Sequence, residues 1–221
     1  MNMQVVFSKR AFNAIVTEVI DKNPLETGGI FIGYLLDNGI WVVVETIPPG
    51  IETINQQAYF EYDANFINYL ANVIAQQYKG NLFVLGLWHR HPGSMDTFSS
   101  IDDETNNKFA QESQYGAISA LVNCDSKMRL TVYHVDKQCN YTKMNWIVDD
   151  GYTIPENLLE LRFNNVSELP ILGRKTNVLK TSNNCETIHY NTSIVNNSTV
   201  SNSTEQTFEN PATEKSDVKK R

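Results

Sequence analysis

The sequence predicts an α/β domain, a mixed β-sheet packed by three helices, on three observations. Helical signals recur over residues 8–22, 63–78 and 99–112, each opened by a serine or aspartate able to cap it. Short apolar or alternating runs, the length of strands, lie between and after them. An Asn-Gly pair joins two of these runs as a hairpin. Elements in this order bury their apolar sides against one another as helices on a sheet.

In chain order, a strand at Gln4–Phe7 comes first. Ser8 then caps a helix to about Lys22, whose stripe is Phe12, Ile15, Val16, Val19 and Ile20. Asn23-Pro24 stops that helix. Gly29–Leu36 and Ile40–Ile47 are the hairpin arms, and Asn38-Gly39 is expected to supply the positive φ angles of the turn. After Pro48-Pro49-Gly50, a polar loop at 52–57 leads to a brief strand at Tyr59–Tyr62. Asp63 caps a second helix through Tyr78, with Phe66, Ile67, Leu70, Val73 and Ile74 inward, and Lys79-Gly80-Asn81 ends it. Leu82–Trp88 reads as a buried strand. A helix at Ile101–Glu112 follows, then strands at 117–123, 129–135 and 141–148.

This places one domain at residues 1–149. A short helical extension is expected within 150–175. The Asn/Ser/Thr-rich segment 176–221 has too few large apolar residues to offset its ordering entropy and is expected to be a disordered tail. A chain ending near Asp150 is therefore expected to fold by itself.

The chemistry concentrates in Trp88–Glu104, WHRHPGSMDTFSSIDDE. His89 and His91 lie two apart at a strand end, so both imidazoles face the same side. Pro92-Gly93 turns the chain, Ser99 or Ser100 caps the next helix, and Asp102 falls in its first turn. Two imidazoles and a carboxylate converging on one point form a three-ligand zinc site, and a fourth position left to water is the catalytic form of such a site. Asp102 also complements the helix dipole. Asp103 and Glu104 read as solvated charges on the helix face. Ser99-x-x-Asp102 is in addition a capping-box pattern, a sufficient structural reason for the serine. His134 reads as structural, His189 as an exposed residue of the tail, and Trp41, Trp88 and Trp146 as core or cleft wall.

The spacing H-x-H, seven residues, S, two residues, D resembles the signature of the JAMM (JAB/MPN) zinc metalloproteases. Glu26, followed by Gly28, Gly29 and Gly33, fits the upstream half of that signature. The resemblance covers roughly residues 1–148 and implies a single JAB/MPN-like domain with layering similar to that of cytidine deaminases. It also implies one zinc per chain on His89, His91 and Asp102, Glu26 as general base and then general acid, and Ser99 as a donor to the oxyanion. The implied activity is that of an isopeptidase acting after the C-terminal glycine of a ubiquitin-like protein. E1- and E2-like enzymes of the same operon, in an antiphage conjugation system, are its implied partners. Two positions depart from the commonest pattern: Arg90 stands where many members have serine, and Phe98 where many have proline. Arg90 alternates away from the metal face, toward a salt bridge or substrate.

Composition narrows the alternatives. The net charge of −7 argues against a nucleic-acid surface, and so against a relative of the DNA-repair-associated RadC kind. The presence of every ligand argues against a non-catalytic scaffold of the same fold. A zinc deaminase needs H-x-E and P-C-x-x-C, and neither occurs. No apolar run reaches the ~20 residues a membrane helix needs, and the start lacks a signal-peptide pattern. Cys124, Cys139 and Cys185 form no framework and read as buried reduced thiols. A cytoplasmic protein without nucleic-acid or membrane partners is the expectation, and the Asn-x-Ser/Thr triplets at Asn191, Asn197 and Asn202 are incidental.

Overall fold

Helix starts fall where a side chain can satisfy the first unpaired amides. In the computed structural model, which describes residues 3–93 and 95–162, strand β1 (Gln4–Phe7) runs into Ser8, whose Oγ accepts from the Ala11 amide at 3.0 Å. Helix α1 (Lys9–Lys22) follows. Its inner face is Ala11, Ile15 and Val19, four residues apart, whereas Ile20 from the expected stripe is 67% exposed. The small Ala11 lets the helix settle on the sheet along that narrower line.

Strands β2 (Thr27–Leu35) and β3 (Ile40–Ile47) form the hairpin. Its turn needs only one positive φ, at Gly39 (85°). Gly39 N–H donates to Leu36 O, and Asn38 accepts the Ile40 amide on Oδ1 rather than taking a left-handed conformation itself. A two-residue pair that the sequence reading had not foreseen as a sheet, β4 (Ile54–Asn55) with β5 (Phe60–Glu61), follows. Asp63 then caps α2 (Ala64–Gln77) through the Phe66 amide at 3.0 Å.

Strand β6 (Phe83–Arg90) and β7 (Ala117–Asn123) are parallel neighbours joined by α3 (Ser100–Glu112). Parallel strands require such a crossover, because the chain must return to the opposite end. That return delivers the start of α3 to the C-terminal end of β6. Strands β8 (Arg129–Val135) and β9 (Tyr141–Val148) continue antiparallel.

The mixed sheet does not stay open as stacked layers. Short β1 pairs in parallel with both β3 and β9, closing a barrel in the order β1-β3-β2-β6-β7-β8-β9. Closure removes both sheet edges. Nothing in a four-residue run announces two partners, so this is where the sequence expectation stopped short.

Alternate residues of β2 and β3 feed two cores. Phe31, Trp41 and Val43 pack with Ile15 and Val19 of α1, while Ile30, Ile32, Val42 and Val44 pack with Ile67 and Ile74 of α2. Trp88 and Trp41 are core, and Trp146 stacks on Phe12. No described helix is long and apolar enough to cross a membrane.

A fourth, short helix, α4 (Glu156–Leu159), lies in the segment expected as an extension. The expectation that the domain ends near Asp149 needs correction, because the chain packs back beyond it. Ile154 is buried beside Ile67 and Ile74. Asp149 Oδ1 accepts the Thr153 and Ile154 amides, the Lys79 amide donates to Glu160 O, and the Arg162 amide donates to Gln77 O. Residues 163–175 and the expected tail at 176–221 lie outside the described residues. Burying an isoleucine contributes roughly 1.5–3 kcal/mol. A chain ended at Asp150 is therefore expected to melt about 5–10 °C below one ended at Arg162. Calorimetry of the two checks this, and equal melting temperatures would return the boundary to Asp149.

Candidate metal centre

The site is assembled from the end of β6, the start of α3 and the turn before β2. His89 lies in β6 and His91 just beyond it, where its amide still donates to Val122 O of β7 at 3.1 Å. Both side chains are buried, at 5% and 4% exposure. Their Nε2 atoms are 2.7 Å apart. Asp102 faces them from α3, with Oδ1 3.2 Å from His89 Nε2 and Oδ2 3.3 Å from His91 Nε2. One ligand atom from each of the three lies within 4.8 Å of the others, and among the described residues this is the one group of His, Cys, Asp or Glu side chains so close.

Ser99 is the N-cap of α3, and Ser100 is its first residue. Ser99 Oγ accepts from the Asp102 amide at 3.2 Å, and Asp102 Oδ2 accepts from the Ser99 amide at 2.6 Å. The capping box and the cluster thus share one carboxylate. The cap orients Asp102, and Asp102 turns its oxygens to the histidines.

The electrostatics follow from this packing. Burial disfavours the charged form of Asp102, but hydrogen bonds from His89, His91 and the Ser99 amide outweigh it and hold the carboxyl well below its ordinary value. Burial lowers the His89 pKa more than Asp102 raises it, which keeps that imidazole neutral. Burial also opposes the charged form of His91, but there Asp102 prevails and the pKa is raised. Two buried imidazole nitrogens and a carboxylate oxygen meeting at one point form a donor set suited to a divalent metal such as zinc.

Glu26 lies in the turn between α1 and β2. Its amide donates to Gln56 O at 2.8 Å, and its carbonyl accepts from Asn55 Nδ2 at 2.8 Å. Strand register sets it beside the cluster: Thr27 pairs with Arg90 and Gly28 with His89, so Glu26 comes level with His91. Burial raises its carboxyl pKa, partly opposed by His91, whose charge reaches it. Gly28 is where a small residue is required. A Cβ there would stand 2.6 Å from Trp88 O and 2.7 Å from the Phe60 ring.

Arg90 and Asp103 have partners that their sequence reading did not give, and Phe98 takes a place on which that reading was silent. Arg90 is buried, and its guanidinium donates to Asn23 Oδ1, Pro24 O and Leu25 O, neutral oxygens in place of the expected salt bridge or substrate. Asp103 is not a solvated charge: it accepts from Tyr141 Oη at 2.6 Å. Phe98 stacks on Tyr141 at 4.7 Å and leans on His89 at 5.8 Å, so it walls the histidines from behind. Glu104, by contrast, pairs with Lys108 on the exposed helix face. Cys124 and Cys139 are half-buried free thiols. His134 contacts Tyr115 O and the Trp41 ring, a structural role.

Sequence reasoning missed Tyr62. Among the described residues its buried hydroxyl has no hydrogen-bond partner; it lies 3.1 Å from where a Gly28 Cβ would be and feels the Asp102 charge. Alternation within Tyr59–Tyr62 was the signal available, because it turns Phe60 and Tyr62 to one side.

A family model described as prokaryotic homologs of the JAB domain matches residues 8–133, more than half of the chain. The chain belongs to that family. All of the site lies within the matched JAB domain. A CD-NTase/cGAS isopeptidase from Enterobacter hormaechei subsp. hoffmannii (strain UCI 50) is 25% identical over 119 residues, covering 53% of this chain and 64% of that protein. The chain thus spans a little under two thirds of that relative's length. The solution structure of the protein DSY2949 from Desulfitobacterium hafniense is similar with a TM-score of 0.49 at 16% identity, covering 66% of this chain and 92% of that one.

Proposed function

We propose that this JAB domain is a zinc-dependent metallopeptidase that cuts the peptide or isopeptide bond after the C-terminal glycine of a ubiquitin-like protein. The observation that carries the reading is the convergence of His89, His91 and Asp102, with Glu26 level with them across the strand pair and Ser99 at the adjoining helix start. Zinc in that position would supply Lewis acidity, polarising a carbonyl oxygen and acidifying water.

The chain's own groups handle protons and position. Glu26 has a carboxyl pKa raised by burial, which brings it toward the operating pH, where a general base is most effective. Its carboxylate takes a proton from the attacking water and delivers it to the departing amine. The Ser99 Oγ accepts from the Asp102 amide, so its own hydrogen is left to donate to the oxyanion. His89, kept neutral by burial, needs to lose no proton to serve as a ligand.

The similarity to the Enterobacter hormaechei isopeptidase supports a protein substrate, and the name of that relative suggests a CD-NTase or cGAS-like enzyme as the conjugated partner. An antiphage conjugation system, with E1- and E2-like enzymes, is the setting we propose. A cytoplasmic location accords with the free thiols. The acidic balance favours an extended peptide over a phosphate backbone.

The test is a ubiquitin-like protein fused through its C-terminal glycine to a reporter, beside its Gly→Leu variant. Cleavage of the first at least ~10-fold faster than the second is expected, because a site selective for glycine would exclude the leucine side chain. Equal cleavage of both, or cleavage of neither while single-stranded DNA is cut, would overturn the reading.

A further inference from the structure

We infer that Arg90 is a positioning residue for Glu26, clamping the peptide group from which the glutamate springs. The inference rests on Glu26 being the base, but its geometry stands apart from any substrate.

Arg90 lies between His89 and His91 on β6 and points to the opposite side of the strand pair. It is only 3% exposed. Among the described residues no carboxylate forms an ion pair with it, and its partners are three neutral oxygens. Nη1 donates to Pro24 O at 2.7 Å and Leu25 O at 2.6 Å, and Nη2 donates to Asn23 Oδ1 at 2.7 Å. These acceptors lie at and just beyond the C-terminal end of α1, where the helix dipole favours a cation. A buried cation hydrogen-bonded only to backbone and amide oxygens, with the Glu26 charge within its reach but not paired to it, is costly to keep, and it is placed where it holds one loop.

What that loop carries gives the arrangement its consequence. Leu25 C=O and Glu26 N–H belong to the same planar peptide group. Arg90 holds its oxygen, and Gln56 O accepts its N–H at 2.8 Å. The next peptide group is held as well, since Glu26 O accepts from Asn55 Nδ2. Both planes flanking the Glu26 Cα are therefore pinned, and with them the direction in which the side chain leaves. Thr27 adds a further tie, its hydroxyl donating to Glu18 Oε1 on α1 at 2.7 Å. Arg90 thus joins the strand that bears the histidines to the turn that bears Glu26, so the two halves of the site move as one. Lysine has a single nitrogen and cannot reproduce the two-pronged grip on three oxygens.

The test compares Arg90→Met and Arg90→Lys in the full-length protein, with and without Glu26→Gln. Three readouts are used: zinc per chain, hydrogen exchange at residues 25–27, and cleavage of a peptide ending in Gly-Gly-aminocoumarin. With Arg90→Met, zinc per chain is expected to stay at the wild-type level and KM within about 3-fold, while kcat falls by ~10–100-fold, as expected for a misplaced catalytic group. Arg90→Lys should recover only part of that loss. In the Glu26→Gln background, Arg90→Met should cost no further activity, because residues acting through one another are not additive. Exchange at residues 25–27 should rise at least ~10-fold with Arg90→Met, and this readout stands even if wild type leaves the probe uncut, an outcome that would sink the substrate reading alone. Unchanged exchange would overturn the clamp. So would an equal loss of activity from Arg90→Met in both backgrounds, which would mark Arg90 as a general structural support.

Discussion

Glu26→Gln is expected to lower turnover by ~10²–10⁴-fold while leaving metal content and melting temperature near wild type. Glutamine keeps the shape of the side chain. The backbone bonds to Gln56 and Asn55 do not involve the carboxyl, so the turn should hold. Only the proton-accepting oxygen is lost. A pH profile adds a sign to the prediction. Burial raises the Glu26 pKa, and a base acts only when deprotonated, so activity of wild type should fall on acidification at a pH above the ~4.3 of an ordinary glutamate. Turnover of the glutamine variant within a few-fold of wild type would remove Glu26 from the mechanism.

Asp102→Ala is expected to have the broader effect, because one carboxylate serves two structures. It faces both histidines and closes the capping box of α3. Metal occupancy should fall below about a tenth of wild type. Loss of the capping interaction should cost about 1 kcal/mol in addition, or roughly 2–4 °C of melting temperature. Asp102→Asn separates the two roles: it retains an acceptor for the Ser99 amide but removes the charge, so metal should be lost with less destabilisation. The stability linked to the carboxylate has a definite pH sense. Its pKa is depressed in the folded protein, so its contribution is present above the ordinary aspartate value of ~3.9 and is lost as the pH falls toward the depressed one. Titrating metal-free protein by circular dichroism, with metal content measured in parallel, follows both effects.

Particular residues explain what the sequence made legible. His89, His91 and Asp102 could be paired in advance because strand alternation and a helix start are local rules, and a short turn links them. The three strands after Gly116 were bounded to the residue because each ends at a polar turn. Barrel closure was not legible: β1 is four residues long, and its pairing with β9 depends on a partner some 140 residues away. A short helix within 150–175 was legible, and α4 lies there, but its docking was not, because it depends on Ile154 and Leu158 meeting the α2 cluster and on backbone bonds to residues 77 and 79. Arg90 was read correctly as pointing away from the histidines. Its partners, however, are backbone carbonyls of a distant turn, which no pattern in β6 reveals. Asp103 was misread for the same reason, since the Tyr141 hydroxyl that it accepts comes from β9.

The central claim is that His89, His91 and Asp102 hold one metal ion. Native mass spectrometry of the purified full-length protein, beside His91→Ala folded to the same melting profile, tests it most directly. The account predicts one zinc per chain in wild type and none in the variant. Equal zinc in both, or a wild-type chain that takes up no divalent metal after dialysis against zinc, would contradict it.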